Sequence, residues 1–257
     1  MKAAQFLRAA TLGAAALLNP APASAQQSIE SLGLTVTTTP ALLSDYVFRG
    51  ISQTRGNPAA QLTLDVEHSS GLYVGAFVSN ANFPGTNLRQ EVDFNFGYRF
   101  ALGPVKLDLG ATYFGFPGYD APPGGFDWAW WEVNLRANYE LDALKFLGLV
   151  SYSPNFNFES GEAWYVEAGV DIKLDFEITA SLRFGRQWIQ YNTTSPADHG
   201  SFGTPDYNVF AFGVSREIAY GVIGAATFST TSLDRADCFG GQSFCGTRVY
   251  FGLSRPF

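Results

Sequence analysis

Alternation of apolar and polar residues dominates this chain. Val92, Phe94, Phe96, Tyr98 and Phe100 interleave with Asp93, Asn95, Gly97 and Arg99, and 105–113 repeats the pattern around Lys106, Asp108, Gly110 and Thr112. The same period runs through 131–141, 166–174 and 176–184. A period of two gives a strand one apolar and one polar face, whereas a helix repeats near 3.6. Weaker versions at 61–68, 72–79, 145–153, 207–215, 220–230 and 248–257, with an opening strand inside 33–49, bring the number to about twelve. Bacterial single-chain barrels need an even number.

The connections alternate as well. Segments 51–57, 81–89, 116–126, 154–162, 192–205 and 233–245 are long, and those at 69–71, 101–104, 142–144, 173–175 and 217–219 are tight. Long loops on one side and short turns on the other predict an antiparallel transmembrane β-barrel, with extracellular loops and periplasmic turns. Pro58, Pro84, Pro117, Pro122, Pro123, Pro154, Pro196 and Pro205 lie in or beside the long connections, where no ladder hydrogen bond is lost. All five tryptophans fall at the loop ends of their strands, while Phe100, Tyr139, Phe146 and Phe176 fall near the turn ends. The pattern predicts two aromatic girdles, with Trp128, Trp131, Trp164 and Trp188 in the outer one.

The first residues supply the address. Lys2 and Arg8 flank a short apolar run, and Ala23-Ser24-Ala25 offers a small-x-small cleavage site before Gln26. Residues 1–25 read as a secretory signal peptide, leaving 26–257 as an outer-membrane barrel. Without Lys2 and Arg8 the mature chain keeps 14 bases against 23 acids, a net charge of −9. That balance disfavours nucleic acid as a partner. After the leader, nothing approaches the roughly eighteen uninterrupted apolar residues of a membrane helix. A β-barrel escapes that test, because lipid-facing and lumen-facing residues cancel in any window average. Cys238 and Cys245, close together in an exported chain, are expected to form a disulfide that pins a loop. His68 and His199 complete no metal constellation with them, and no cofactor is implied.

The polar faces nominate a lumen. Asp65, Glu67, Asp93, Arg99, Lys106, Asp108, Glu132, Arg136, Glu140, Glu167, Asp171, Lys173, Glu177 and Arg183 are expected to point inward, with Asp45 and Arg49 paired near the first strand's outer end. Buried charges of both signs either pair across a plugged lumen or line a small aqueous path. The excess of acids over bases predicts a mild cation preference if that path conducts. The chain ends in an outward stripe, Val249, Phe251, Leu253, Arg255 and Phe257, of the kind read by the barrel assembly machinery. Arg255 and Pro256 depart from the usual pattern.

Asp45-Tyr46-Val47-Phe48-Arg49-Gly50-Ile51-Ser52-Gln53-Thr54 is a distinctive decapeptide. With 68–75, the Glu91…Asp93…Gly97-Tyr98-Arg99 stretch and 113–118, it resembles the Gcw_chp family of proteobacterial exported proteins, also called TorF-type porins. The resemblance implies an outer-membrane barrel of poorly defined role. Such a barrel is expected to have outer-membrane lipids, lipopolysaccharide and small solutes or ions as its partners. It carries over no catalytic residue. The decapeptide reads either as the closure of strand 1 against the last strand or as the constriction of a pore.

Three other readings share parts of this pattern. A periplasmic β-sandwich shares the alternation but predicts neither sorted loops nor sorted tryptophans. A lipid-hydrolysing barrel would need His68 with Ser69 or Ser70, or His199 with Asp198 and Ser195 or Ser201, to meet as base and nucleophile. A barrel that binds ligands through its loops would use the 238–245 lasso and the 116–126 loop.

Overall fold

The computed structural model describes residues 27–192 and 199–257. The leader and the Ser195, Pro196 and Asp198 positions lie outside the described residues. Twelve antiparallel strands close into a barrel. They are β1 Leu34–Leu43, β2 Ala59–His68, β3 Leu72–Asn80, β4 Gln90–Leu102, β5 Val105–Gly115 and β6 Trp130–Leu141. There follow β7 Leu144–Ser153, β8 Ala163–Lys173, β9 Thr179–Ile189, β10 Tyr207–Ala219, β11 Val222–Thr231 and β12 Arg248–Ser254. Each strand pairs with its sequence neighbours, the simplest topology by which a meander removes its own edges.

The strand faces follow from residue parity. On β6, Trp131, Val133 and Leu135 are exposed, while Trp130, Glu132 and Asn134 are buried. On β4, Phe94, Phe96 and Tyr98 are exposed around buried Asp93. The outer wall is therefore an apolar belt that water cannot solvate, and the inner wall carries the polar positions. With all strand edges paired, that is an outer-membrane barrel.

The turns explain the short side. Tyr220 and Gly221 both have positive φ, +52° and +77°, which suits the right-handed twist of the β10–β11 hairpin. Asp175–Glu177 forms a 3-10 turn in which Phe176 is 82 % exposed. β9 thus begins at Thr179 and not at 176, and Glu177 lies exposed in the turn and not in the lumen. Phe176 and Glu177 take φ of +61° and +59° there, which breaks the ladder that their alternation would otherwise continue.

The seam is asymmetric. β1 pairs with β2 from Leu34↔His68 to Leu43↔Ala59, but with β12 only at Ala41, Leu42 and Leu43. Beyond those, Arg255 N–H donates to Pro40 O at 3.2 Å, and Thr38 and Phe257 exchange bonds of 3.0 and 2.8 Å. Gln27–Ile29 covers the remaining stretch, pairing with Val36, Thr35 and Leu34. In an antiparallel strand a residue's N–H and C=O point the same way, so the amide that Pro40 lacks faces this sparse seam.

Candidate functional site: the lumen and its inner hairpin

The first long connection does not rise into an outer loop. After Leu43 the chain turns inward, and Val47–Phe48 pairs with Ile51–Ser52 as a miniature hairpin inside the barrel. Arg49 and Gly50 make its two-residue turn, with φ of +47° and +80°. A Cβ on Gly50 would stand 2.4 Å from Thr231 Cγ2, so the wall of β11 also requires glycine here. Tyr46, Val47, Ile51, Ser52 and Thr54 are almost wholly buried.

Polar contacts seat this hairpin on three sides. Asp45 accepts hydrogen bonds from Ser52 and Thr54 within the hairpin and from Arg248 Nη1 of β12 at 2.7 Å. Arg49 donates to both oxygens of Glu132 on β6, at 2.9 and 2.7 Å, and to Gln187 on β9 at 3.0 Å. Its guanidinium also lies 4.7 Å from the Phe48 ring centre and 4.3 Å from that of Tyr165. Asp45 and Arg49 therefore do not pair with each other. The reversal of the chain at Arg49–Gly50 breaks the strand on which positions four apart would share a face. Ser52 N–H donates to Phe244 O at 2.9 Å, and Gln53 O accepts from Asn82 N–H at 2.8 Å, tying the hairpin to two outer loops.

Above the hairpin the loops fold inward and bring a cluster of rings. Phe83 meets Trp128 at 4.8 Å, Trp128 meets Phe158 at 4.4 Å, and Phe114 stacks on Trp130 at 4.2 Å. The Cys238–Cys245 disulfide lies in the same cluster. A cavity of about 30 Å³ remains among Phe48, Ile51, Phe83, Trp128, Phe202 and Tyr207. It has room for a few waters.

Trp128, read as a girdle residue, is thus an interior residue, as is Trp130. Trp128 precedes β6 and shares the parity of Trp130, Glu132 and Asn134, the inward set. That parity was the available signal. Trp131, Trp164 and Trp188 are exposed on the outer wall, where Trp131 packs on Tyr113 and Trp164 on Tyr152.

Below the hairpin the lumen is charged. Arg99 forms a fork to Asp65 at 3.1 Å, bonds Glu67, reaches Asp108 at 3.4 Å and lies over the Tyr73 ring. Tyr73 OH donates to Asp108 at 2.8 Å. Arg183 pairs with Asp171 at 2.6 Å, Lys106 with Glu140 at 3.1 Å, and Tyr165 OH donates to Glu167 at 2.7 Å. Arg136 stands opposite Asp108 in the β5–β6 register, while Lys173 is exposed at the turn end of β8. Glu91, Lys145, Gln187 and Arg248 also face inward by parity, and Lys145, Arg248 and Arg49 narrow the acidic excess of the lumen.

Sequence comparison decides the family. The family model described as "Bacterial protein of unknown function (Gcw_chp)" matches residues 27–257.

The chain belongs to the Gcw_chp family.

No protein of curated function is recognisably similar to this Gcw_chp protein in sequence. Among solved structures, its barrel is similar to the NanC porin in a rhombohedral crystal form, with 12 % identity and a TM-score of 0.52 over 85 % of this chain and 97 % of that one. The KdgM porin gives 9 % identity and a TM-score of 0.52 over 86 % and 98 %. At such identities the likeness shows the fold, not a solute.

The two histidines of this Gcw_chp barrel lie at opposite ends. His68 closes β2 at the turn side, where its Nδ1 engages Ser70 Oγ at 2.8 Å. His199 sits among the outer loops, stacked on Tyr191 at 3.5 Å, and its Nδ1 donates to Gly200 O.

Proposed function

We propose that this Gcw_chp barrel is a porin-like channel that passes small polar solutes or ions across the outer membrane, with residues 1–25 as its export signal. One observation carries this reading. The inner wall below the hairpin is lined by charged groups from β2, β4, β5, β6, β8 and β9, instead of the apolar filling that a purely structural core would use. Such groups favour hydration and ion passage over dry packing. The acidic excess favours cations, and the Arg49 hairpin forms the constriction. The outer wall takes membrane lipid and lipopolysaccharide, and the stripe ending on Phe257 is the handle for the assembly machinery.

The filled upper lumen favours a second reading, a closed barrel whose aromatic loops bind a partner. Planar-bilayer recordings separate the two. The channel reading expects discrete conductance steps with cations preferred over anions, and a shifted selectivity in Arg49→Glu. Silence of the folded wild-type protein at all voltages would establish the closed barrel instead.

A further inference from the structure

The lipid-facing positions of the strands are almost all apolar, and among the described residues only two of them hold an Asp, Glu, Lys or Arg: Arg186 on β9 and Arg216 on β10. Arg216 lies near the turn end of its strand. Arg186 lies near the loop end, one outward position below Trp188. It stands opposite Val166 of β8 and Asn208 of β10. Phe184, Trp188, Val166 and Phe210 around it are all exposed, so this cation is set into the apolar belt itself. Its side chain climbs towards the tryptophan girdle. The guanidinium lies 5.3 Å from the Trp188 ring centre, which is the reach of a snorkelling arginine.

Inside the barrel Arg49, Arg99, Arg183 and Arg248 each pair with a carboxylate. Arg186 has no ion pair among the described residues, and its hydrogen bond runs from Nη1 to Asn208 Oδ1 at 3.0 Å. Asp206, the next outward position above Asn208, instead accepts from the Ile189 amide and from Asn192. A guanidinium carries five donors, so most of the Arg186 fork is left for a group outside the protein. Asn208 spends its oxygen on Arg186, and its NH2 is a further donor at the same height. A charge at the lipid boundary is costly without a counter-ion, and the arginine fork matches phosphate geometry. At the level of Trp164 and Trp188 the groups on offer are lipid headgroups. We propose that Arg186 and Asn208, flanked by Trp188, bind a phosphate of an outer-leaflet glycolipid. This rests on the lipopolysaccharide contact proposed above for the outer wall and gives that contact an address. It stands whether or not the barrel conducts.

Native mass spectrometry of the folded full chain in detergent, with lipid A added, tests it. The wild type is expected to retain lipid A, and Arg186→Gln to bind it about tenfold more weakly, the effect of losing charge-assisted hydrogen bonds. Arg216→Gln should bind as the wild type does. Lipid A stripped of its phosphates should bind the wild type as weakly as intact lipid A binds Arg186→Gln, and excess inorganic phosphate should leave the bound lipid in place. Heat-modifiable gel mobility reports whether each protein is folded, and Asn208→Ala, expected to bind severalfold more weakly, serves if Arg186→Gln is not. Unchanged binding in a folded Arg186→Gln, equal binding of the phosphate-free lipid, or an equal loss in Arg216→Gln overturns this site while the general lipid contact stands. Displacement by inorganic phosphate would assign the site to the free anion and overturns it too. If the wild type retains neither lipid, the site and the general contact both fall.

Discussion

Replacing Arg49 by Met tests whether the inner hairpin is held by its one buried guanidinium. The substitution removes bonds of 2.7, 2.9 and 3.0 Å and strands Glu132, whose side chain is 3 % exposed, with only Trp130 Nε1 at 3.2 Å. Removing one partner of a buried pair costs about 3–5 kcal/mol, most of it the cost of the charge left behind. Met replaces part of the packing against Phe48 and Tyr165, so the loss is mainly electrostatic. The barrel ladder is untouched, and the cost falls on seating the hairpin. At about 1.4 kcal/mol per decade, the unseated population rises by roughly two to three and a half orders of magnitude. Val47→Cys, at a position 2 % exposed, provides the assay, because the two native cysteines are bonded to each other. In that background Arg49→Met should accelerate reaction with an impermeant maleimide by about a hundredfold or more. Arg49→Met/Glu132→Gln, which removes both charges, should return the rate to within a few-fold of the reference. The reasoning fails if the single variant labels no faster than the reference, or if the double variant labels as fast as the single.

Two further substitutions probe the cap and the wall. Replacing Cys238 and Cys245 by Ser opens a loop with a sequence separation of 7. It should lower unfolding stability by about 2 kcal/mol in urea titrations under non-reducing conditions, and an unchanged midpoint would show that the lasso is held by its phenylalanines alone. Leu135→Arg places a charge on the outer face, where Leu135 pairs with Leu109 and Val150. In lipid bilayers it should cost about 2–4 kcal/mol, and a loss near zero would mean that this level lies outside the hydrocarbon.

The wall was legible because its rule is local. Parity alone sorts Val133 from Glu132 and Phe94 from Asp93, and an even number of such strands has few ways to close. The hairpin was not legible, because nothing in Asp45–Thr54 says whether the chain after Leu43 turns out or in. That choice rests on partners far along the sequence, Glu132, Gln187 and Arg248. Lumen residues within regular strands could be assigned, but their pairings could not, since Arg99 had Asp65, Glu67 and Asp108 all within reach. At Trp128 two local signals compete. An aromatic at a loop end suits both a lipid headgroup layer and an inward-folded loop, and its parity with Glu132 outweighed its composition.

The hairpin's attachments have a consequence for the order of events during folding. It follows directly on β1, so it leaves the export machinery among the first segments. Its anchors come 83, 138 and 203 residues later, and the last of them, Arg248, opens the final strand. Contacts of such separation form late. The nascent chain therefore carries an apolar, charged finger that waits in water until the ring around it is nearly complete. The Asp45–Arg248 bond forms two residues beyond the Ala41–Leu43 seam and on the same last strand, so closure of the cylinder and seating of the finger are a single final step.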